Sequence, residues 1–203
     1  ALKHYRIDVF YSPEVLMPYG IRIPSIITVH DLSPVVMPYS LPWSHSKYYR
    51  YIIKRNLQLA DKILTVSNFS GQEIMTICGI TESKIQVIYN GVRNIFRPLS
   101  DEEKLRIRNQ YTEDNPYFIS IGSIHARKNT DKVIAAFETF RLKYKSTHKL
   151  ILVGKFMGLS AMAKKAIETS SFTRDIICTG YIADEQLASL LGAAEASINL
   201  SEY

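Results

Sequence analysis

Short apolar runs, each closed by a glycine or a small polar residue and followed by a longer segment, recur along the whole chain. The runs are Asp8–Tyr11, Ser25–Val29, Lys62–Val66, Ile85–Ile88, Tyr117–Ile121, Leu150–Val153, Asp175–Thr179 and Ala196–Leu200. Most are rich in Ile and Val and apolar nearly throughout, as strands covered on both faces require. Between several of them the period changes to that of a helix. Tyr49, Ile52, Ile53, Asn56, Leu57 and Ala60 fall on one face, as do Val133, Ile134, Phe137 and Phe140 of a helix predicted after Asn129. Strand, helix, strand in alternation predicts an α/β protein with parallel sheets.

The alternation is interrupted after Gly91 by Val-Arg-Asn-Ile-Phe-Arg-Pro-Leu-Ser and the charged run Asp101–Lys104. Ser100 with Glu103 three places on forms a capping box for the helix that follows. Alternating units on both sides predict two α/β lobes, residues 1–97 and 98–203.

The 203 residues exceed the usual single-domain size of about 100–150. Hydrophobic residues make up 46% and charged residues 22%, as in ordinary globular chains, which speaks against disorder. No apolar run approaches the roughly 20 residues of a membrane span, and the first residues have no signal-peptide pattern. They lack an initiator Met, consistent with a clipped start. The net charge of +6 permits anionic partners without choosing among them. Cys78 and Cys178 belong to no metal-ligand spacing and are expected to pack as buried reduced thiols. His4, His45, His125 and His148 likewise show no ligand spacing, so no metal is expected.

Open parallel sheets bind ligands at the carboxyl ends of their strands. The residues there are Ser12-Pro13, His30-Asp31, Ser67-Asn68, Asn90-Gly91, Gly122-Ser123, Gly154-Lys155, Gly180-Tyr181 and Ser201. Small and hydrogen-bonding types let backbone amides approach a ligand, although any one of them can equally be a turn residue. The strongest local pattern is Ile121–Thr130: a strand ending at Gly122, a loop with His125, Arg127 and Lys128, then a helix start. Two adjacent cations before a helix N-terminus make an anion site, with a solvated basic loop as the alternative. The loop is not a Walker motif, and no G-x-G-x-x-G occurs. His30 can exchange a proton or hydrogen-bond a sugar hydroxyl, and Asp31 could orient it. A structural histidine held by backbone groups is the other reading.

Together these residues resemble the family-four retaining glycosyltransferases of the GT-B fold, a mannosyltransferase-like group 1 pattern. VHDLSP at 29–34, ADKILTVSNFS at 60–70, IQVIYNGV at 85–92 with the following FRP, ISIGSIHARKN at 119–129, and LVGK with CTGYIADEQLASLLGAAEASINLSEY carry the likeness in order. It implies two Rossmann-like lobes and a polysaccharide-biosynthesis enzyme of the cytoplasm. The enzyme would move a sugar from a nucleotide-diphosphate donor, GDP-mannose by first guess, to a saccharide or lipid-linked saccharide hydroxyl. Retention and metal independence are implied as well, with no cofactor beyond the donor. Arg127 and Lys128 would bind the diphosphate and stabilise the leaving group. His30 would meet the transferred sugar, with Asp31, Ser67 and Asn90 on the acceptor side. Gly180, Tyr181 and Ile182 would hold the base, while Gly122, Ser123, Gly154, Lys155 and Ser201 line the donor pocket.

The pattern also departs from the family. The first glutamate of its E-x7-E motif would follow Tyr203, Glu202 occupying a variable position, and its N-terminal glycine-rich loop is not present. The expectation is two incomplete lobes, truncated at both ends, which alone do not turn over. A non-catalytic nucleotide-sugar-binding or scaffold protein of the same fold is the alternative. A nicotinamide-linked oxidoreductase is disfavoured by the missing glycine fingerprint, and nucleic-acid binding by dispersed cations. Lys47, Arg50, Tyr51, Lys54 and Gln58 form a basic stripe on one helix, readable as a solvated face or as peripheral contact with the inner membrane surface.

Overall fold

The computed structural model describes residues 5–38, 43–157 and 160–202. His4 and Tyr203 lie outside the described residues. The chain divides into two compact units, Ala1–Gly91 and Val92–Tyr203.

In the first unit β1 (Phe10–Ser12), β2 (Ser25–Val29), β3 (Lys62–Thr65) and β4 (Ile85–Val87) pair in chain order, all parallel. Helices α1 (Ser33–Val36) and α2 (Trp43–Leu59) connect β2 to β3, and α3 (Asn68–Cys78) connects β3 to β4. The buried face of α2 carries Ile52, Ile53, Asn56 and Leu57, as its period predicts; Tyr49 lies at its exposed margin. Of these, Ile53 and Leu57 join Ile27, Val29, Ile63 and Ile74 in one core.

The second unit contains α4 (Asp101–Thr112), β5 (Tyr117–Ile121), α5 (Thr130–Tyr144), β6 (Lys149–Val153), α6 (Ala161–Thr169), β7 (Ile176–Gly180), α7 (Asp184–Ala193) and β8 (Ala196–Ser197). The parallel sheet runs β7-β6-β5-β8. Strand β6 is buried at every position and divides its side chains by period two. Leu150 and Leu152 join Val133, Ile134 and Phe137 of α5, whereas Ile151 and Val153 join Leu190 and Ala193 of α7. That two-sided cover explains why the strand reads as an unbroken apolar run. At the amino end of β5, the buried Tyr117 hydroxyl donates to Leu190 O at 2.6 Å, and burial raises its pKa well above the usual phenol value.

The predicted capping box is present. Ser100 Oγ accepts from Glu103 N at 3.2 Å, and Glu103 Oε2 accepts from Ser100 N at 2.8 Å. The residues before it belong to the second unit: Arg93 pairs with Asp184, and Leu99 packs against α7 at Gly192. The boundary drawn at 97/98 therefore lies six residues beyond the structural division after Gly91. The predicted strand Ala196–Leu200 is shorter, because only Ala196 and Ser197 pair with β5. The cysteines also differ from expectation: Cys78 is half-buried and Cys178 is exposed, both as free thiols.

Candidate functional site at the carboxyl ends of the strands

Strand order reverses at β5, whose neighbours are the next strand, β6, and the last, β8. Such a reversal opens a crevice between the loops leaving the two sides. Here the loop after β5 and the segment after β8 meet in it. Asn129 Nδ2 donates to Leu200 O at 2.9 Å, and Glu202 N donates to Arg127 O at 3.1 Å.

Glycines allow the floor of this region to close. Gly122 N donates to Val153 O, and Gly154 N to Gly180 O, both at 2.9 Å. Gly154 has φ +138°, and a Cβ there would lie 2.0 Å from Gly122 O. Only glycine permits two strand ends to approach backbone to backbone in this way. Beyond them Ile124 N donates to Lys155 O at 2.9 Å and Met157 N to Ile124 O at 3.0 Å, so the loops after β5 and β6 are zipped together.

The cationic loop folds back over this floor. His125 Nδ1 accepts from Arg127 N at 3.4 Å and so begins the 3₁₀ turn Ala126–Lys128. Asn129 enters α5 in the left-handed region with φ 49° and makes no side-chain cap, since its amide holds Leu200 O instead. The stem of Lys128 passes Gly122, its Cε 3.7 Å from where a Cβ would stand. Lys128, Gly122, Ser123, Thr130 and Asn199 line a small recess. Lys128 forms no ion pair among the described residues, and Arg127 is half-buried beside it. Ser201 Oγ is buried without a hydrogen-bond partner among the described residues.

The remaining expected donor residues are spread along the same edge. Gly180 ends β7; Lys155 is exposed, its ammonium 5.7 Å from the ring centroid of Tyr181. Tyr181 itself is 76% exposed, while Ile182 packs partly into the core beside α7.

In the first unit His30 is exposed at the carboxyl end of β2. Its Nε2 lies 3.1 Å from Pro13 O, a bond in which only the ring can donate, so the neutral ring leaves Nδ1 as acceptor. Asp31 does not orient it: Asp31 Oδ1 accepts from Ser33 N at 2.8 Å and closes the turn into α1. Ser67 caps α3 by accepting from Ser70 N at 3.1 Å, and Ser70 Oγ donates to His30 O at 3.3 Å. Ser67 is thus the N-cap of α3, and one carboxylate oxygen of Asp31 holds the turn before α1. Asn90 is exposed just beyond β4. A groove of about 560 Å³ lies at the opposite, amino ends of the strands, lined by Arg22, Arg55 and Asp61 among others. There the N–H and hydroxyl of Ser25 hold the Asp61 carboxyl below the usual range.

Asn129, Thr130 and Asn199 have site positions that sequence reasoning did not assign. The signal was present only for Asn129, a residue tolerant of left-handed backbone at a loop–helix junction. Among the described residues no three His, Cys, Asp or Glu gather as a metal-ligand set, and no helix is long and apolar enough to cross a membrane.

Two tandem Rossmann-like α/β units, the second with glycine-ended strands and paired cations at its switch point, have the architecture of the GT-B class. Residues 1–94 match the family described as Glycosyltransferase Family 4, and residues 101–203 match Glycosyl transferases group 1. The chain belongs to the group 1 glycosyltransferase family. It is 26% identical over 204 residues to O-antigen chain mannosyltransferase B of Escherichia coli, covering all of this chain and 53% of that one. It is 29% identical over 127 residues to O-antigen chain mannosyltransferase RfbU of Salmonella typhimurium, covering 63% of this chain and 31% of the relative. Among solved structures, Anabaena HepE in complex with UDP and glucose superposes with a TM-score of 0.76 at 17% identity, over 98% of this chain and 54% of HepE. WaaG, a glycosyltransferase involved in lipopolysaccharide biosynthesis, gives 0.74 at 15% identity, over 99% of this chain and 55% of its own. The chain therefore spans about half the length of the first of these relatives.

Proposed function

We propose that this chain is the donor-binding and acceptor-side portion of a hexosyltransferase that uses a nucleotide-diphosphate sugar. The single observation that carries the reading is the crevice between β5 and β8. There the Lys128 side chain passes Gly122 without an ion pair among the described residues, and on the segment after β8 the buried Ser201 hydroxyl has no hydrogen-bond partner among the described residues. A pyrophosphate seated there would meet Arg127, Lys128 and the uncapped amides of α5. These are fixed donors that strengthen as negative charge develops on the leaving group. Such an arrangement supplies by cations what other transferases take from a metal, which is the basis for proposing a metal-independent reaction.

Likeness to two O-antigen mannosyltransferases supports mannose as the transferred sugar and GDP-mannose as the donor, with a saccharide or lipid-linked saccharide as acceptor. Retention at the anomeric carbon is proposed on the same footing. His30, with Nε2 held by Pro13 and Nδ1 open, is the acceptor-side group proposed to contact the sugar. We propose the cytoplasm as the location of the reaction, with peripheral contact at the inner membrane face.

Isothermal titration of the chain with GDP-mannose tests the donor site. Lys128→Ala and Arg127→Ala are each expected to weaken binding at least tenfold, in line with losing a charge-assisted bond worth about 1.5–3 kcal/mol. Donor affinity unchanged in both variants would overturn the assignment. Tighter binding of a uridine-diphosphate sugar would overturn the choice of nucleotide alone.

A further inference from the structure

We infer that Asn129 is a positioning residue for the crevice: its side-chain amide ties the loop after β5 to the segment after β8 and so fixes where Lys128 stands. The inference rests on the reading of the crevice as the site of the donor's pyrophosphate. Asn129 is assigned no contact with the donor itself and acts through its neighbour.

Asparagine at the start of a helix ordinarily turns its side-chain oxygen onto the first free amides. Asn129 makes no such cap. Its Nδ2 donates instead to Leu200 O at 2.9 Å, across to the far side of the crevice. The backbone there is left-handed, φ 49° and ψ 41°, a conformation that glycine adopts more readily than asparagine. The dihedrals alone therefore do not call for asparagine, and the amide is what glycine would lack. Lys128 and Thr130, on either side of Asn129, line the recess together with Asn199, the residue before Leu200. The bond from Asn129 thus sets the span between the two walls. A second bond lies on the other side of Lys128, where Glu202 N donates to Arg127 O at 3.1 Å. Lys128 accordingly stands between two residues that are both tied to the segment after β8. Pairing of β8 with β5 ends at Ser197, so residues 199–202 are held to the loop by bonds of this kind and not by the sheet ladder.

Asn129→Gly keeps the left-handed backbone and removes only the donor, which separates the tie from the fold. In titrations with GDP-mannose the variant is expected to bind about fivefold more weakly, the scale of one neutral hydrogen bond. In a Lys128→Ala background the same substitution should change affinity by less than about twofold, because the residue acts through Lys128. Hydrogen exchange at the Glu202 amide should quicken, while the second unit melts within about 4 °C of the parent. Unchanged affinity in Asn129→Gly, an equal loss in both backgrounds, or unchanged exchange at Glu202 would each overturn the inference and leave the donor site standing. A larger drop in melting temperature would overturn it too, by making Asn129 an ordinary structural residue. A parent chain that binds neither GDP-mannose nor a uridine-diphosphate sugar would remove the donor reading, and this inference with it.

Discussion

Replacing Gly154 by alanine introduces a single methyl group where the loops after β5 and β6 touch. The added Cβ would stand 2.0 Å from Gly122 O, 2.6 Å from Gly122 C and 3.2 Å from Ser123 N. All three are backbone atoms, so no side-chain rotation relieves the clash. Holding an L residue at φ +138° adds strain of about 1–3 kcal/mol. Overpacking typically adds about 1–3 kcal/mol, so the variant should lose roughly 2–6 kcal/mol. At about 4 °C per kcal/mol for a unit of this size, the melting temperature falls by roughly 8–24 °C. Differential scanning calorimetry of the chain measures it, with the effect confined to the transition of the second unit. Gly91→Ala is the control, because a Cβ there meets nothing within 4 Å. A Gly154→Ala transition within 2 °C of the parent, taken as about the resolution of the conversion, would refute the close approach.

Ser201→Ala removes a buried hydroxyl that has no partner among the described residues, so thermal stability should hold or rise by up to about 1 kcal/mol while affinity for GDP-mannose falls. A fall in both would mark Ser201 as merely structural. Tyr117→Phe strips Leu190 O of its buried donor and should cost about 1–3 kcal/mol by denaturant titration, with no change in donor affinity. The Glu103 carboxyl is held at about 2 by Arg97 first and then by the Ser100 N–H. Its folded value lies below the unfolded one, so its stabilising contribution is full above the usual carboxylate range and is lost as pH falls from there towards 2. An NMR titration of Glu103 should show this depression, and Arg97→Ala should move the midpoint upward; a normal midpoint in the parent would refute the clamp.

Strands were legible where burial is two-sided. Ser25–Val29 and Tyr117–Ile121 have the bounds that their apolar runs predict. The run after Ala196 misled because its apolar residues lie beyond the paired stretch, where Leu200 instead offers its carbonyl to Asn129. The turn of the cationic loop into α5 was legible because a glycine-ended strand followed by a short loop and a helix start is a local pattern. Neither Asn199 beside Lys128 nor the isolation of Ser201 Oγ was readable, since both follow from strand order, which linear spacing does not encode. Asp31 and Ser67 show the converse. Short polar residues after strands look alike in sequence, and only the structure shows that Ser67 caps α3 and that Asp31 bonds the Ser33 N–H.

The bond from Asn129 to Leu200 joins residues 71 positions apart. A chain made from its N-terminus forward therefore completes the cationic loop long before it has the segment that walls the other side. Until β8 docks against β5 the crevice has one wall, and Lys128 lacks Asn199 across the recess. Completion of the second unit and closure of the crevice are then the same event.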